Sequence, residues 1–111
     1  MNRSFLYHIV TPAEWERALQ LKKYRPAKAK ADGFIHASWE EQILKSAGRH
    51  FTDFDSLIVL VIPVSRVRKI LKEEKSESGE SFPHLYGWFE LDDVTDVKLL
   101  SRTGRGELEM D

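Results

Sequence analysis

The sequence predicts an α+β protein of a single domain, with a curved, mixed or antiparallel split sheet and two main helices. Predicted strands outnumber helices, and both clear helices fall in the first half, which does not suit regular βαβ winding. The run LIVLVI, residues 57–62, is apolar and rich in β-branched residues, as in a central strand buried on both faces. A chain of 111 residues can bury one core. We assign the domain to residues 1–103 and predict a flexible tail at 104–111.

The first half contains the strongest helix signal. Residues 5–10 are apolar and β-prone, and therefore predict the first strand. Thr11 is a suitable N-cap, Pro12 suits the first helical position, and Glu14 completes a capping box. Apolar residues at helical spacing follow, and residues 24–33 are predicted to form a loop.

The remaining elements are shorter. Ser38 is expected to cap the second helix, with Glu41 three residues later and Gly48 near its end. Residues 68–74 fit either a helix or an edge strand. Further short elements are predicted at 34–37 (strand), 65–67 (one helical turn) and 97–101 (the last strand).

Composition excludes several classes of protein. The chain has no cysteine, which rules out disulfide and thiolate chemistry. Seventeen basic and eighteen acidic residues give a net charge of −1, which argues against a protein built mainly to bind nucleic acid. The longest apolar run is too short to span a membrane, and no signal peptide is recognised. We therefore expect a cytoplasmic protein with no membrane partner, and the sequence leaves its oligomeric state open.

Three of the four histidines lie in or beside short apolar strands. They are His8, His36 and His84, in the segments YHI, FIHAS and FPHLYG, whereas His50 follows a helix and is expected in solvent. An imidazole in an apolar strand is costly unless its ring nitrogens are bonded. Three such residues on separate elements therefore predict one shared cleft.

The segment FPHLYG, residues 82–87, combines a strand with a polar face. Pro83 favours an extended backbone at a strand edge, and Gly87 permits a turn. Alternation along the strand places His84 and Tyr86 on one face and Leu85 on the other, toward the core. The polar pair is therefore predicted to form one wall of the cleft.

Three kinds of chemistry fit these residues. Three imidazoles can bind zinc, but no short ligand spacing such as HxH or HExxH occurs, so we assign no metal ligands. Ser38 lacks a GxSxG elbow and suits a helix cap better than a nucleophile. A nucleotide-like ligand is the third possibility, with Arg25 neutralising charge, although no glycine-rich phosphate loop is present.

The sequence leaves open whether the protein is an enzyme. If it is one, the residues of the predicted cleft have the following roles. His36 or His84 would be the general acid or base, because imidazole titrates near neutral pH. His8 and Ser38 would hold ribose hydroxyls, and Tyr86 would orient or stack on the ligand. Two glutamates compete as the carboxylate that reaches the cleft: Glu74, the first candidate, and Glu90, the second.

The segments YHI, YRP, GFIHAS, LIVLVI and FPHLYG, with a tryptophan in the first helix, resemble domain-of-unknown-function family 952, a mainly bacterial family, over residues 5–101. The resemblance implies an ADP-ribosyltransferase-like fold, a group that includes NAD-cleaving transferases and the tRNA 2′-phosphotransferase. It implies NAD as a ligand, with His8 at the early-strand position that holds ribose and His36 with Ser38 near the next strand's motif. Family members usually carry a small residue or cysteine at the position of Ala37.

We therefore predict a cleft that binds a small anionic or nucleotide-like ligand, such as NAD or ADP-ribose, in a protein with possible transferase activity. The predicted catalytic residues are His36, His84 and Glu74; the predicted ligand-binding residues are His8, Arg25, Ser38 and Tyr86. Two alternatives are a non-enzymatic protein-interaction module with structural histidines and a histidine-based zinc site.

Overall fold

The computed structural model describes residues 3–111 as an α+β fold with seven strands and four α-helices in that range. The strands are β1 Phe5–Val10, β2 Ile35–His36, β3 Ser56–Pro63, β4 Leu71–Lys75, β5 Ser81–Leu85, β6 Asp96–Arg102 and β7 Leu108–Met110. The helices are α1 Pro12–Leu21, α2 Ala27–Asp32, α3 Ile43–His50 and α4 Val64–Val67. Short 3₁₀ turns lie at Glu40–Gln42, Arg68–Ile70 and Leu91–Asp93.

The strands form two antiparallel sheets. The larger sheet has the order β1-β3-β6-β7, and the smaller has the order β2-β5-β4. Tyr7 and Ser38 link the two sheets through reciprocal backbone hydrogen bonds of 2.9 and 2.8 Å. Of the two sheet types predicted, the described strands therefore adopt the antiparallel one throughout.

β3 is the central strand, as predicted from its apolar run. One face of the larger sheet packs in a core cluster that includes Leu6, Leu60 and Ile62, together with residues of the smaller sheet such as Leu85. The opposite face packs with α3 in a second cluster. Because both faces of β3 are covered, its sequence contains no polar alternation.

The structure confirms the first strand and the start of the first helix. Phe5–Val10 forms β1, and the Thr11 hydroxyl accepts a hydrogen bond from the Glu14 backbone while the Glu14 carboxylate accepts one from the Thr11 backbone. The short turn predicted at 65–67 is also present, within α4. The helix start and the turn rest on contacts between residues close in sequence, which local patterns describe well.

Two local predictions were wrong. Ser38 does not cap the second helix, because its backbone is engaged with Tyr7 across the sheet junction. The chain instead forms the Glu40–Gln42 turn after Trp39, and α3 then begins at Ile43. The predicted loop at 24–33 contains the short helix α2, which ends at Asp32 and is followed by Gly33 with φ of 86°.

The C-terminal segment is ordered as a strand where we expected a tail. β7 pairs with β6, with Leu100 opposite Met110. Leu108 and Met110 pack against the second core cluster. A strand of three residues is too short to show a clear apolar pattern in the sequence. The stability of β7 comes from its pairing with β6.

Candidate functional site

A row of three titratable or basic side chains crosses the smaller sheet. His36 on β2 pairs in register with His84 on β5, and His84 pairs with Lys72 on β4. The alternating residues Ile35 and Leu85 are buried in the core on the other side. We call this outward side of the smaller sheet the histidine face; it comprises Phe34, His36, Lys72, Glu74, His84 and Tyr86.

Glu74 accepts hydrogen bonds from two side chains of the segment FPHLYG, His84 and Tyr86. The Nδ1 atom of His84 lies 2.8 Å from Glu74 Oε1, and the Tyr86 hydroxyl donates a hydrogen bond to the same oxygen. The hydrogen bonds from Tyr86 and His84 lower the pKa of the Glu74 carboxyl, and the carboxylate raises the pKa of the Tyr86 phenol. Glu74 therefore stays ionised and fixes the orientation of both side chains.

His36 is held by a second carboxylate. Its Nε2 atom lies 2.9 Å from Asp32 Oδ2, at the end of α2. Lys28 contacts the same carboxylate oxygen at 2.9 Å. Burial lowers the pKa of His36, and the positive potential of His84 acts in the same direction, while the hydrogen bond to Asp32 opposes both.

Each histidine keeps one ring nitrogen available. Among residues 3–111, neither Nε2 of His84 nor Nδ1 of His36 has a hydrogen-bond partner. His84 is only partly exposed, but no buried side-chain polar atom in that range lacks a partner, so its Nε2 reaches solvent. The two ring centroids are 5.3 Å apart, with an interplanar angle of 72°.

Phe34 packs against both imidazoles. Its ring centroid is 4.2 Å from that of His84, with the planes stacked at 23°, and 4.6 Å from that of His36. Tyr86 contacts the same ring at 5.4 Å. Phe34 therefore limits rotation of the two histidines and shields them from water on one side. Residues two apart on a strand share a face, so the Phe-x-His pattern of FIH was a signal for this cluster that the sequence analysis did not use.

Two open surface depressions flank Tyr86, with volumes of about 410 and 390 Å³. The first is lined by the aromatic side chains of Phe34, Tyr86 and Trp88 and carries Lys30 at its rim. The second contains Lys69 and Lys72. Each depression thus combines apolar walls with positive charge.

His8 lies in the interior, away from the histidine face. It is 8% exposed; its Nδ1 lies 2.5 Å from the carbonyl oxygen of His36, and its Nε2 lies 2.8 Å from the Tyr24 hydroxyl. A carbonyl only accepts, so Nδ1 carries the proton and Nε2 accepts from Tyr24. Burial lowers the pKa of His8 to about 4. The sequence predicted that three histidines share one cleft, but only His36 and His84 lie together. Alternation along β1 turns the His8 ring toward the core.

Ser38 and Arg25 also lie apart from this face. Ser38 is buried, and its hydroxyl donates to Ser46. Arg25 donates to the Tyr24 carbonyl at 2.8 Å, and its guanidinium stacks over Trp88 at 5.1 Å. Arg25 is therefore close to the rim of the first depression and takes part in positioning its aromatic wall.

The structure distinguishes the two glutamates. Glu74 contacts His84 and Tyr86, whereas Glu90 forms an ion pair with Arg25 at 3.4 Å. Asp32 and Lys72 belong to the cluster but were not predicted. Asp32 lies four residues before His36 across a glycine turn, and Lys72 reaches the site only through the pairing of β4 with β5.

Residues 3–111 contain neither a metal-ligand cluster nor a membrane-spanning helix. No three side chains of the types His, Asp or Glu are arranged to hold a metal ion in this range. No helix in the same part of the chain has the length and apolar character needed to cross a bilayer.

Comparison with known proteins gives a family and a solved structure. A family model described as "Protein of unknown function (DUF952)" matches residues 9–97. The chain is similar to the crystal structure of protein CC0527 from Caulobacter crescentus, with 32% identity and a TM-score of 0.84 over 95% of this chain and 93% of that one. For the solution NMR structure of CC0527, the TM-score is 0.81 over 94% and 90% of the two chains. No curated protein matches the sequence.

Proposed function

The chain belongs to the DUF952 family of proteins of unknown function, and we propose that its histidine face binds a small anionic, nucleotide-like ligand. The observation that carries the proposal is the pair His36 and His84. Each imidazole is held by a carboxylate through one nitrogen and presents the other nitrogen, and the two rings are 5.3 Å apart.

The charges around this pair favour an anion. Lys72 lies beside His84 in the sheet register and has no ion-pair partner among residues 3–111. Lys30 and Lys69 line the two adjoining depressions. A phosphate at the histidines would accept hydrogen bonds from a protonated imidazole and from the ammonium of Lys72, the type of charge-assisted contact that is strongest in proteins.

The aromatic side chains favour a planar group attached to that anion. Tyr86 and Trp88 are 43% and 39% exposed and border the same depression. Stacking of a base on an aromatic ring contributes about 1–3 kcal/mol. A nucleotide combines both chemistries, and NAD and ADP-ribose are members of this class that the ADP-ribosyltransferase-like resemblance also suggests.

In an enzyme, the same pair would supply the general acid and base. A histidine suits both roles because its pKa lies near neutrality, and a carboxylate on its second nitrogen fixes the tautomer. Glu74 holds His84 and Tyr86 in this arrangement. Transferase chemistry on an ADP-ribosyl group is one reaction that such a pair could assist.

A thermal-shift titration with phosphate, AMP, ADP-ribose and NAD tests the proposal. A ligand that binds only the folded state stabilises it by about 2.7 kcal/mol at a hundredfold excess over Kd, which raises Tm by several degrees. We expect His36→Gln and His84→Gln to abolish the shift. His50→Gln is the matched control, because His50 lies at the end of α3, outside this face.

If none of the four ligands raises Tm, or if His36→Gln and His84→Gln respond like the wild type, the proposal is overturned. The exposed aromatic pair Tyr86 and Trp88 would then favour the alternative of a protein-interaction surface.

A further inference from the structure

We propose that the histidine face cleaves phosphodiesters that carry a neighbouring hydroxyl, the linkage found in RNA, with His36 as general base and His84 as general acid. The inference rests on the proposed function, because the phosphate of the substrate would occupy the anion site described above. It adds a reaction and a substrate class to that site.

The symmetry of the pair is the first support. Asp32 holds Nε2 of His36, and Glu74 holds Nδ1 of His84, so two carboxylate–imidazole pairs face each other across one strand ladder. Cleavage of such a diester needs one group to remove a proton and a second group to deliver one, on opposite oxygens of the same phosphorus. The two ring centroids are 5.3 Å apart, so one phosphate can lie against both imidazoles, and each ring has one nitrogen without a hydrogen-bond partner among residues 3–111.

The surroundings of the two rings assign the roles. The carboxylate of Asp32 is shared with Lys28, which compensates part of its charge, so that His36 is favoured in its neutral, proton-accepting form. Glu74 has no lysine or arginine partner among residues 3–111, and its charge is directed to His84 and Tyr86. His84 is therefore the member of the pair whose protonated form gains a full ion pair.

Lys72 supplies the remaining charge. It is the residue opposite His84 on β4, and its Nζ lies 5.6 Å from the Tyr86 ring centroid. Negative charge grows on the non-bridging oxygens as the new P–O bond forms. A lysine fixed next to the site stabilises that charge more in the transition state than in the bound diester.

The reaction is balanced without a co-reactant. His36 takes the proton of the 2′-hydroxyl, and the 2′-oxygen attacks phosphorus. The bond from phosphorus to the 5′-oxygen breaks, and this oxygen takes the proton of His84. The products are a 2′,3′-cyclic phosphate and a 5′-hydroxyl. Proton exchange with water then restores both imidazoles.

Incubation with adenylyl-adenosine and its 2′-deoxy counterpart tests the inference. We expect the purified protein to convert the ribose dinucleotide to adenosine 2′,3′-cyclic phosphate and adenosine, detected by chromatography, and to bind the deoxy dinucleotide without cleaving it. Removal of a general acid or base lowers such rates by about 10²–10⁴-fold. His36→Gln and His84→Gln should each lose at least about a hundredfold in rate, and His50→Gln, purified in the same way, should retain the wild-type rate.

Because His84 is largely buried, its variant could lose structure, so circular dichroism and Tm are measured for each protein. His36 is exposed and provides an independent test if His84→Gln unfolds. Binding of the deoxy dinucleotide without cleavage of the ribose dinucleotide would overturn this inference and leave the proposed function standing. Absence of both binding and cleavage would overturn both. Equal cleavage by His36→Gln and His50→Gln would assign the activity to another source and overturn the inference.

Discussion

His36 and His84 lie directly opposite each other on β2 and β5, in the same register that pairs Ile35 with Leu85 in the core. A shift of β2 by one residue against β5 would turn His36 inward and expose Ile35. Burial of Ile35 and Leu85 thus stabilises the arrangement of the site. The pairing also explains why two residues 48 positions apart form one candidate centre.

The titration of His36 should respond in opposite directions to its two charged neighbours. Burial is the largest influence on the His36 pKa and lowers it; the hydrogen bond that His36 donates to Asp32 raises this pKa, and the charge of Lys28 lowers it. Asp32→Asn should therefore lower the His36 pKa below the wild-type value, and Lys28→Gln should raise it. NMR titration of the imidazole signals measures both. Shifts in the same direction for the two variants would contradict the ion-pair geometry.

His8 should make the protein less stable in mild acid. The folded state holds His8 neutral with a pKa of about 4, whereas an unfolded histidine titrates near 6.5. Below pH 6.5 the unfolded chain therefore binds a proton that the folded chain does not. The stabilisation from neutral His8 is complete above pH 6.5 and is lost progressively as pH falls toward 4, by about 2 kcal/mol between pH 7.5 and pH 5. Urea unfolding at the two pH values measures this difference.

Variants of His8 separate the loss of stability caused by this histidine from the sensitivity of the rest of the protein to low pH. His8→Gln removes the titration, so the loss of stability between pH 7.5 and pH 5 should shrink, although the variant is less stable at pH 7.5. His50→Gln should leave the pH dependence as it is in the wild type. A wild-type slope in His8→Gln would show that His8 is not the buried titrating group.

β7 should contribute measurably to stability. Leu108 packs in the second core cluster, while the side chain of its neighbour Glu109 is exposed. Leu108→Ala should reduce the free energy of unfolding by about 1–2 kcal/mol, because part of a leucine side chain is removed from apolar contact. Glu109→Ala should change it by less than about 0.5 kcal/mol. Equal stability of the two variants in urea would support the flexible tail expected from the sequence.

Gly87 should be intolerant of a side chain. Its φ is 155°, and a Cβ atom would lie 3.0 Å from Cγ2 of Ile70. Gly87→Ala should therefore cost about 1–3 kcal/mol through backbone strain and displacement of Ile70. Gly104→Ala is the matched control, because a Cβ there meets no atom within 4 Å. A chemical denaturation curve for each variant is the measurement, and similar midpoints would contradict the close approach.

Much of the candidate site could be predicted because alternation on a strand is a local rule. The same-face placement of His84 and Tyr86, with Leu85 in the core, follows from three adjacent residues, and the structure has this arrangement. The burial of His8 could not be predicted from alternation in this way. Its local pattern resembles that of His36, and only the packing of Tyr24 and the His36 carbonyl around its ring makes it an interior group.

The sequence by itself determined the first strand, the capped first helix, the central buried strand and the polar side of FPHLYG, since the residue pattern that predicts each of them lies within a few positions. The tertiary structure alone decided that Glu74 rather than Glu90 contacts His84, that Asp32 contacts His36, and that Lys72 lies on the histidine face. It also decided that residues 108–110 form a strand. These outcomes depend on pairing between distant segments, and the free energy of that pairing comes from the whole core, so no local pattern contains it.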